Sequence, residues 1–361
     1  MQLTRRRTRQ IAQQWALITL DIDIRSREVV QKMAERIKFP FEIKNVTEEE
    51  DKIVKKYYKD YTRPFVRVGP QGYCWMAGYG DKAEDIFNLR VRTDDIWVVS
   101  FPRSGTTWLQ ELVWLLNNNL DYDGAAATPL TKRYAFIEYP TQASEIKKSP
   151  PPSGHGATVH DYQDLHTLPS PRYVKTHLNL DFLPPKLLDT AKVFYIARDP
   201  RDVAVSFHFM HKLFRYFDEG VQFNEFWDLF KRDLLMHMPI FPHIEEAWKH
   251  RGHPNMMFLF YEEMQKDLRK VIDRVADFLG KSYSDEEKNK LADHLTFDNM
   301  KKHTPVFKTA NDNKDSEMKF MRKGKSGNWM NYFDTDELRR EVEVYMEEHL
   351  KNTDLRFPKV D

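Results

Sequence analysis

The sequence predicts an α/β fold, a central parallel sheet with helices on both faces. Three observations carry this. Apolar runs of strand length recur at 96–101, 172–176, 193–197 and 256–260. Stretches with helical spacing of apolar residues follow them. The runs 193–197 and 256–260 are apolar throughout and 96–101 is so but for Ser100, as expected for strands buried on both sides; 172–176 is mixed.

Taken in order, residues 40–90 are polar and aromatic, with a turn at Gly69-Pro70-Gln71-Gly72. The run 96–101 is the first strand of the sheet. A helix over 106–116 follows, with Trp108, Leu109, Leu112, Val113 and Leu116 on one side. Behind the strand 193–197, Val203, Phe207, Met210 and Phe214 repeat at helical spacing. Behind 256–260, Leu268, Val271, Ile272, Val275, Phe278 and Leu279 share one helical face. Strands that alternate with helices imply parallel pairing and three layers. Two stretches break the alternation. The segment Ser149-Pro150-Pro151-Pro152-Ser153-Gly154-His155-Gly156 is a turn-rich loop, and 299–327 is a long excursion rich in Lys, Asn and Asp. Loops of that length serve as lids or binding loops. There is no internal repeat, so one domain over 39–361, preceded by an extension over 1–38, is the economical reading.

The 361 residues are 41% hydrophobic and 31% charged, the composition of a globular chain. With 56 basic against 55 acidic residues, nothing suggests bulk attraction to nucleic acid or membrane, and any anion site must come from local clusters. The one cysteine, Cys74, excludes an internal disulfide and a Cys-rich metal site, and favours a reducing, cytoplasmic setting. No run approaches the roughly 18 apolar residues of a spanning helix. Arg5, Arg6, Arg7 and Arg9 precede any acid, and Ile11, Trp15, Ile18 and Ile22 recur at helical spacing. A targeting presequence, a loosely docked extension and an upstream start before Met33 all stay open, since Asp21 and Asp23 interrupt the pattern.

The chemistry concentrates at the strand ends, where open parallel sheets bind their ligands. The first strand delivers Phe101-Pro102-Arg103-Ser104-Gly105-Thr106-Thr107-Trp108, a small-residue loop that opens a helix. Backbone N–H groups and the helix dipole there suit an anion. A Walker A loop would need Gly in place of Ser100 and Lys in place of Thr106. The second strand delivers Lys175-Thr176-His177, an ammonium and an imidazole two residues apart. The third gives Arg198-Asp199-Pro200-Arg201-Asp202 and a helix carrying Ser206; the fourth gives Tyr261. His177 suits a general base. Blander alternatives stay open: His177 in an ordinary hydrogen bond, Arg198 paired with Asp199 or Asp202, Trp108 as core, and 322–327 as a solvated turn rather than a second phosphate site.

These segments resemble the cytosolic sulfotransferase family over nearly the whole chain, from about Phe39 to Pro358. Its 5′-phosphosulfate loop appears as Phe101 to Trp108, with Arg103 where the family usually has Lys. Its Lys-Thr-His-Leu element stands at Lys175-Thr176-His177-Leu178, and its 3′-phosphate signature runs from Tyr195 to Ser206. Its C-terminal Arg-Lys-Gly-x-x-Gly-x-Trp recurs as Arg322-Lys323-Gly324-Lys325-Ser326-Gly327-Asn328-Trp329. The resemblance implies a P-loop-like three-layer sandwich. It also implies transfer of a sulfuryl group from 3′-phosphoadenylyl sulfate to a small hydroxylated acceptor, without a metal. His177 would be the base, with Lys175 and Arg103 stabilising charge. Arg103, Ser104, Gly105, Thr106 and Thr107 would hold the 5′ end, and Trp108, Tyr261 and Phe297 the adenine. Arg198, Ser206, Arg322, Lys323 and Gly324 would grip the 3′ phosphate, and Thr296, Met300, Phe320 and Met321 would complete the donor site. The acceptor pocket is expected from residues 134–139, the 150–156 loop and the 207–217 helix.

The family's dimer motif is not kept in the stretch 330–339, so its homodimer is not assumed. The Arg-Ser-Gly-Thr-Thr loop and the ending Asn352-Thr353-Asp354-Leu355-Arg356-Phe357-Pro358 resemble insect-type members, including retinol dehydratase, which uses sulfuryl transfer to activate an alcohol for elimination. Two other classes compete. A P-loop kinase would need ATP and Mg²⁺, and a non-catalytic nucleotide binder would show no turnover.

Overall fold

The polar, aromatic stretch before residue 90 folds into a small antiparallel sheet, an element absent from the sequence expectation. It comprises β1 (Ile43–Asn45), helix α1 (Glu48–Tyr57), β2 (Phe65–Val68) and β3 (Tyr73–Met76), with strand order β1-β2-β3. β2 and β3 form a hairpin in which Phe65 pairs with Met76 and Val68 with Tyr73. Gly69 and Gly72 close its turn with positive φ of 70° and 64°. The computed structural model describes residues 36–139, 160–303 and 324–359. Residues from 41 onward form one compact unit. The extension 1–35, the 149–156 loop and residues 304–323 of the C-terminal excursion lie outside the described residues.

The main sheet is built from β4 (Ile96–Val99), β5 (Ala135–Phe136), β6 (Tyr173–Thr176), β7 (Lys192–Ala197) and β8 (Met256–Phe260), in the order β5-β6-β4-β7-β8. Every pair is parallel. The chain leaves β4, forms β5 and β6 on one side, then crosses to form β7 and β8 on the other. Strand order therefore reverses around β4, and a crevice opens beyond its carboxyl end. β5, only two residues long, is a fifth strand that the sequence pattern does not reveal.

Helix α2 (Thr106–Asn117) follows β4; α3 (Pro200–Leu213), α4 (Phe223–Lys231) and α5 (Ile240–Lys249) lie between β7 and β8. After β8 come α6 (Tyr261–Lys266), α7 (Leu268–Leu279), α8 (Asp285–His294), α9 (Phe297–His303) and α10 (Asp336–Leu350). Alternation along each strand assigns the layers. Ile96, Val98, Phe194, Ile196 and Leu259 share one core with Leu109, Leu112 and Leu116 of α2 and Val271, Ile272 and Val275 of α7. On the other face Tyr195 bonds His243 of α5, and Phe258 meets Trp248 edge-on at 5.0 Å. The expected three layers are present. The stretch expected to be irregular from 299 is helical at its start, because α9 runs through Asn299 and Met300. The first strand stops at Val99, two residues early: Phe101 turns into the core, edge-on to Phe207 at 5.6 Å.

Candidate active site

The loop after β4 is tied down at both ends. Ser100 N–H donates to the Thr176 carbonyl at 3.3 Å, and its hydroxyl meets the Thr106 hydroxyl at 2.7 Å. Between them Arg103 and Gly105 take left-handed φ values of 69° and 105°. A Cβ on Gly105 would stand 2.6 Å from Tyr261 Cδ2 and 3.0 Å from Ile196 Cδ1, so only glycine fits. Helix α2 starts at once, and its N-terminal Gly105, Thr106 and Thr107 line a cavity of about 520 Å³. Ser104 Oγ, in the same loop but off the cavity wall, is buried with no hydrogen-bond partner.

β6 places the next groups. Val99 pairs with Thr176, which brings His177 beside Ser100. His177 Nδ1 lies 2.7 Å from the Ser100 carbonyl. A carbonyl only accepts, so Nδ1 carries the hydrogen and Nε2 keeps its lone pair. Burial, followed by the charge of Lys175, pushes His177 well below the ordinary histidine range. The ring lines the cavity, and its lowered proton affinity favours the neutral imidazole with the Nε2 lone pair available. Lys175 lies with Nζ 4.1 Å from the Phe136 ring centroid. Burial pulls its ammonium below the usual lysine range, Glu138 opposes that shift, and Arg103 adds to it.

β7 delivers Arg198, whose guanidinium stacks 4.3 Å above the Tyr261 ring. Arg198 Nη2 donates to the Lys325 carbonyl at 3.1 Å, while its buried Nε has no partner. The acids beside it serve other groups. Asp199 pairs with Arg201 at 2.5 Å, and Asp202 accepts from the N–H groups of Gly327 and Trp329. The ion pair allowed to Arg198 as an alternative is thus taken by Arg201. Arg103 Nε donates to Ser206 Oγ on α3 at 3.0 Å.

Trp108, Tyr261, Thr296, Phe297, Met300 and Gly324 all line the same cavity. The Trp108 indole donates to the Leu295 carbonyl at 2.9 Å and meets Tyr261 edge-on, so it forms cavity wall rather than core. A Cβ on Gly324 would stand 2.2 Å from Phe297 Cδ2; glycine lets the Phe297 ring lie against the backbone. Phe320, Met321, Arg322 and Lys323 lie outside the described residues, and Lys325 reaches the cavity.

The far end is lined by Phe136, Tyr139, Met210, Phe214, Tyr216 and Met236. Tyr134, expected with them, points into the core and donates to the Gln110 carbonyl at 2.9 Å. Phe207 and Phe217 are likewise core. Sequence reasoning missed three buried residues at the site, two behind it and one in its wall. Glu138 accepts from the His177 N–H at 2.5 Å and from the Thr176 hydroxyl at 2.9 Å. His243 donates through Nε2 to the His177 carbonyl at 3.1 Å and accepts from the Tyr195 hydroxyl at 2.7 Å. His237 lines the cavity with its ring centroid 5.8 Å from that of His177. None has a local motif; only the register of β5 against β6, the packing of α5 and the path of the segment before α5 could reveal them. Among the described residues no cluster of His, Cys, Asp or Glu could hold a metal ion, and no helix is long and apolar enough to cross a membrane.

An anion loop, an imidazole, a lysine and an arginine converge at one switch point, and comparison with known proteins gives this convergence its class. The chain belongs to the sulfotransferase family: the Sulfotransferase domain matches residues 93–354. It is an enzyme of that family, with the parallel-sheet fold of its members. Among individual relatives, it is 34% identical to the Luciferin sulfotransferase of Photinus pyralis over 303 residues, 78% of this chain and 80% of that one. It is 28% identical to Sulfotransferase 1E1 of Bos taurus over 307 residues, 84% of this chain and 97% of that one. Its structure matches retinol dehydratase in complex with androsterone and inactive cofactor PAP at a TM-score of 0.79. That match has 35% identity and covers 90% of this chain and 100% of the other.

Proposed function

We propose that this enzyme transfers the sulfuryl group of 3′-phosphoadenylyl sulfate to the hydroxyl of a small apolar alcohol or phenol by in-line displacement. The observation that carries the reading is the place of His177 on the cavity wall, its Nδ1 held 2.7 Å from the Ser100 carbonyl, with Lys175 and the anion loop lining the same cavity. The residues fit such a donor. Arg198 lines the cavity and its buried Nε has no partner, which suits a phosphate oxygen. Gly105 leaves space that a Cβ would fill, and the α2 N-terminus favours negative charge. Trp108, Phe297 and Tyr261 supply flat walls for a base. Luciferin sulfotransferase and the PAP-bound retinol dehydratase support the same donor by similarity.

His177 Nε2 takes the acceptor proton as the acceptor oxygen bonds to sulfur. The bond from sulfur to the phosphate oxygen breaks, and 3′-phosphoadenosine 5′-phosphate leaves with that electron pair. Lys175 and Arg103 balance charge on the sulfuryl oxygens and the departing oxygen, so positioning and electrostatics do most of the work. Arg198 and Ser206 face the 3′ phosphate. The Met and aromatic lining at the far end suits an apolar acceptor.

A second reading is elimination, favoured by the 0.79 TM-score to retinol dehydratase. The sulfated alcohol would then lose sulfate and a proton to give an alkene. The test is a panel of phenols, steroids and allylic alcohols with sulfur-labelled donor, scoring sulfated and dehydrated products. Label on an acceptor, or released as sulfate with a matching alkene, supports transfer. Label that never leaves the nucleotide, or activity with ATP in its place, contradicts it.

A further inference from the structure

We propose that Asp202 is a positioning residue for the donor: it latches the segment 324–329 onto α3, and the latch sets how fast the nucleotide leaves; this rests on the donor assigned above. Asp202 sits in the first turn of α3 and is 3% exposed. Backbone occupies both of its carboxylate oxygens. Oδ2 accepts the Gly327 N–H at 2.7 Å, and Oδ1 accepts the Trp329 N–H at 3.1 Å. These donors open the helical turn Asn328–Asn331, and the first N–H groups of such a turn have no carbonyl of their own to bond. Neighbouring residues are held in the same direction. Ser326 N–H donates to Gln265 Oε1 on α6 at 2.9 Å, and the Lys325 carbonyl accepts from Arg198 Nη2 at 3.1 Å. The Arg201 guanidinium stacks 4.3 Å from the centre of the Trp329 ring.

These contacts deliver Gly324 and Lys325 to the cavity wall, with Gly324 against the Phe297 ring and Lys325 on Arg198. Asp202 itself does not line the cavity, so it acts through the segment and not on the nucleotide. The latch requires an acid. Two N–H groups meet two oxygens, whereas an asparagine offers one oxygen and turns its NH₂ toward the second N–H. The carboxylate also lies at the α3 N-terminus, where the helix dipole favours negative charge. With the latch broken, the 327–329 backbone turns to water for its partners, and the wall that carries Gly324 and Lys325 loosens. Arg198 loosens with it, because the Lys325 carbonyl is one of its anchors. A segment that walls a ligand cavity governs exit through the bonds that hold it.

The test separates release from chemistry. Hydrogen exchange read by mass spectrometry follows peptides that cover 324–331, and stopped-flow displacement follows the release of 3′-phosphoadenosine 5′-phosphate. In Asp202→Asn the 324–331 peptides should exchange about tenfold faster, while those from β7 stay as in wild type. Release should quicken by about tenfold or more, as expected when two bonds to a charged acceptor are disrupted. KM for the donor should rise, and single-turnover transfer at saturating donor should stay within about threefold of wild type. A merely structural role would slow that transfer and leave release unmoved. Release at the wild-type rate from folded Asp202→Asn overturns the proposal. Faster release with unchanged exchange over 324–331 overturns it as well, since the segment would not be the route. If Asp202→Asn fails to fold, Asp202→Glu keeps the charge but shifts it by one methylene; it should speed release by a smaller factor, and an unchanged rate there is equally fatal. Wild-type protein that binds no 3′-phosphoadenosine 5′-phosphate would count against the proposed function, and the exchange rates would still decide whether Asp202 holds the segment.

Discussion

Gly105→Ala tests the loop on which the donor site is built. The perturbation adds one methyl group at a φ of 105°. Holding an L-residue in that region costs about 1–3 kcal/mol. The new Cβ would also stand 2.6 Å from Tyr261 Cδ2 and 3.0 Å from Ile196 Cδ1. Neither neighbour yields easily. Tyr261 has the Arg198 guanidinium on its face and Trp108 at its edge, and Ile196 is fully buried in β7. Overpacking of this kind costs about 1–3 kcal/mol. Relief requires the loop to open, which moves the α2 N-terminus away from the anion position. The expected result is a melting temperature lower by roughly 3–8 °C, at about 1.3 °C per kcal/mol for a chain of 361 residues. Affinity for 3′-phosphoadenosine 5′-phosphate should fall by about tenfold or more. Calorimetric unfolding and titration of the purified variant read both. A melting point within about 2 °C of wild type and affinity within twofold would refute the reasoning.

Three further outcomes follow from the same geometry. Arg198→Met removes the guanidinium above Tyr261, and should weaken 3′-phosphoadenosine 5′-phosphate by about 10–100-fold, the worth of a charge-assisted contact, with little effect on AMP; equal losses for both nucleotides in calorimetry would contradict the 3′ assignment. Activity should be bell-shaped in pH. His177 must be neutral, so the acid limb lies below 6.5 because burial and Lys175 depress its proton affinity; Lys175 must be charged, so activity falls as pH rises through its own lowered value. A kcat profile that loses half its value above pH 6.5 on the acid side would contradict the His177 assignment. Arg172→Met leaves Asp95 buried without the partner it now holds at 2.5 Å, and should destabilise the fold by about 3–5 kcal/mol in urea unfolding; a loss under about 1 kcal/mol would show that the pair is dispensable.

How much of this was legible in the sequence depended on whether the signal was local. Val193–Ala197 and its helix were readable because β7 is apolar on both faces and α3 begins with Asp199 as N-cap and Pro200 behind it. The loop 101–108 was readable because its glycine and hydroxyls are contiguous. β5 was not, since two residues cannot show a period, and Glu138 went unseen with it. The β1–β3 sheet was missed because its short strands mix aromatic, basic and apolar residues. Trp75, for example, is fully buried opposite Val66, while the half-buried Arg67 follows on the same strand and pairs with Cys74. His243 resembles any helical histidine until α5 is packed on Tyr195. Arg198 shows the reverse case. Sequence proximity suggested Asp199 as partner, but the turn into α3 points Asp199 toward Arg201 and frees Arg198 for Tyr261.

The account depends most on an imidazole that accepts the alcohol proton while the sulfuryl group moves. Single-turnover transfer from labelled 3′-phosphoadenylyl sulfate should therefore be compared between wild type and His177→Ala, with 3′-phosphoadenosine 5′-phosphate affinity measured on the same preparations. The expected result is a rate lower by about 10²–10⁴ with nucleotide affinity retained. Transfer by His177→Ala at the wild-type rate would contradict it.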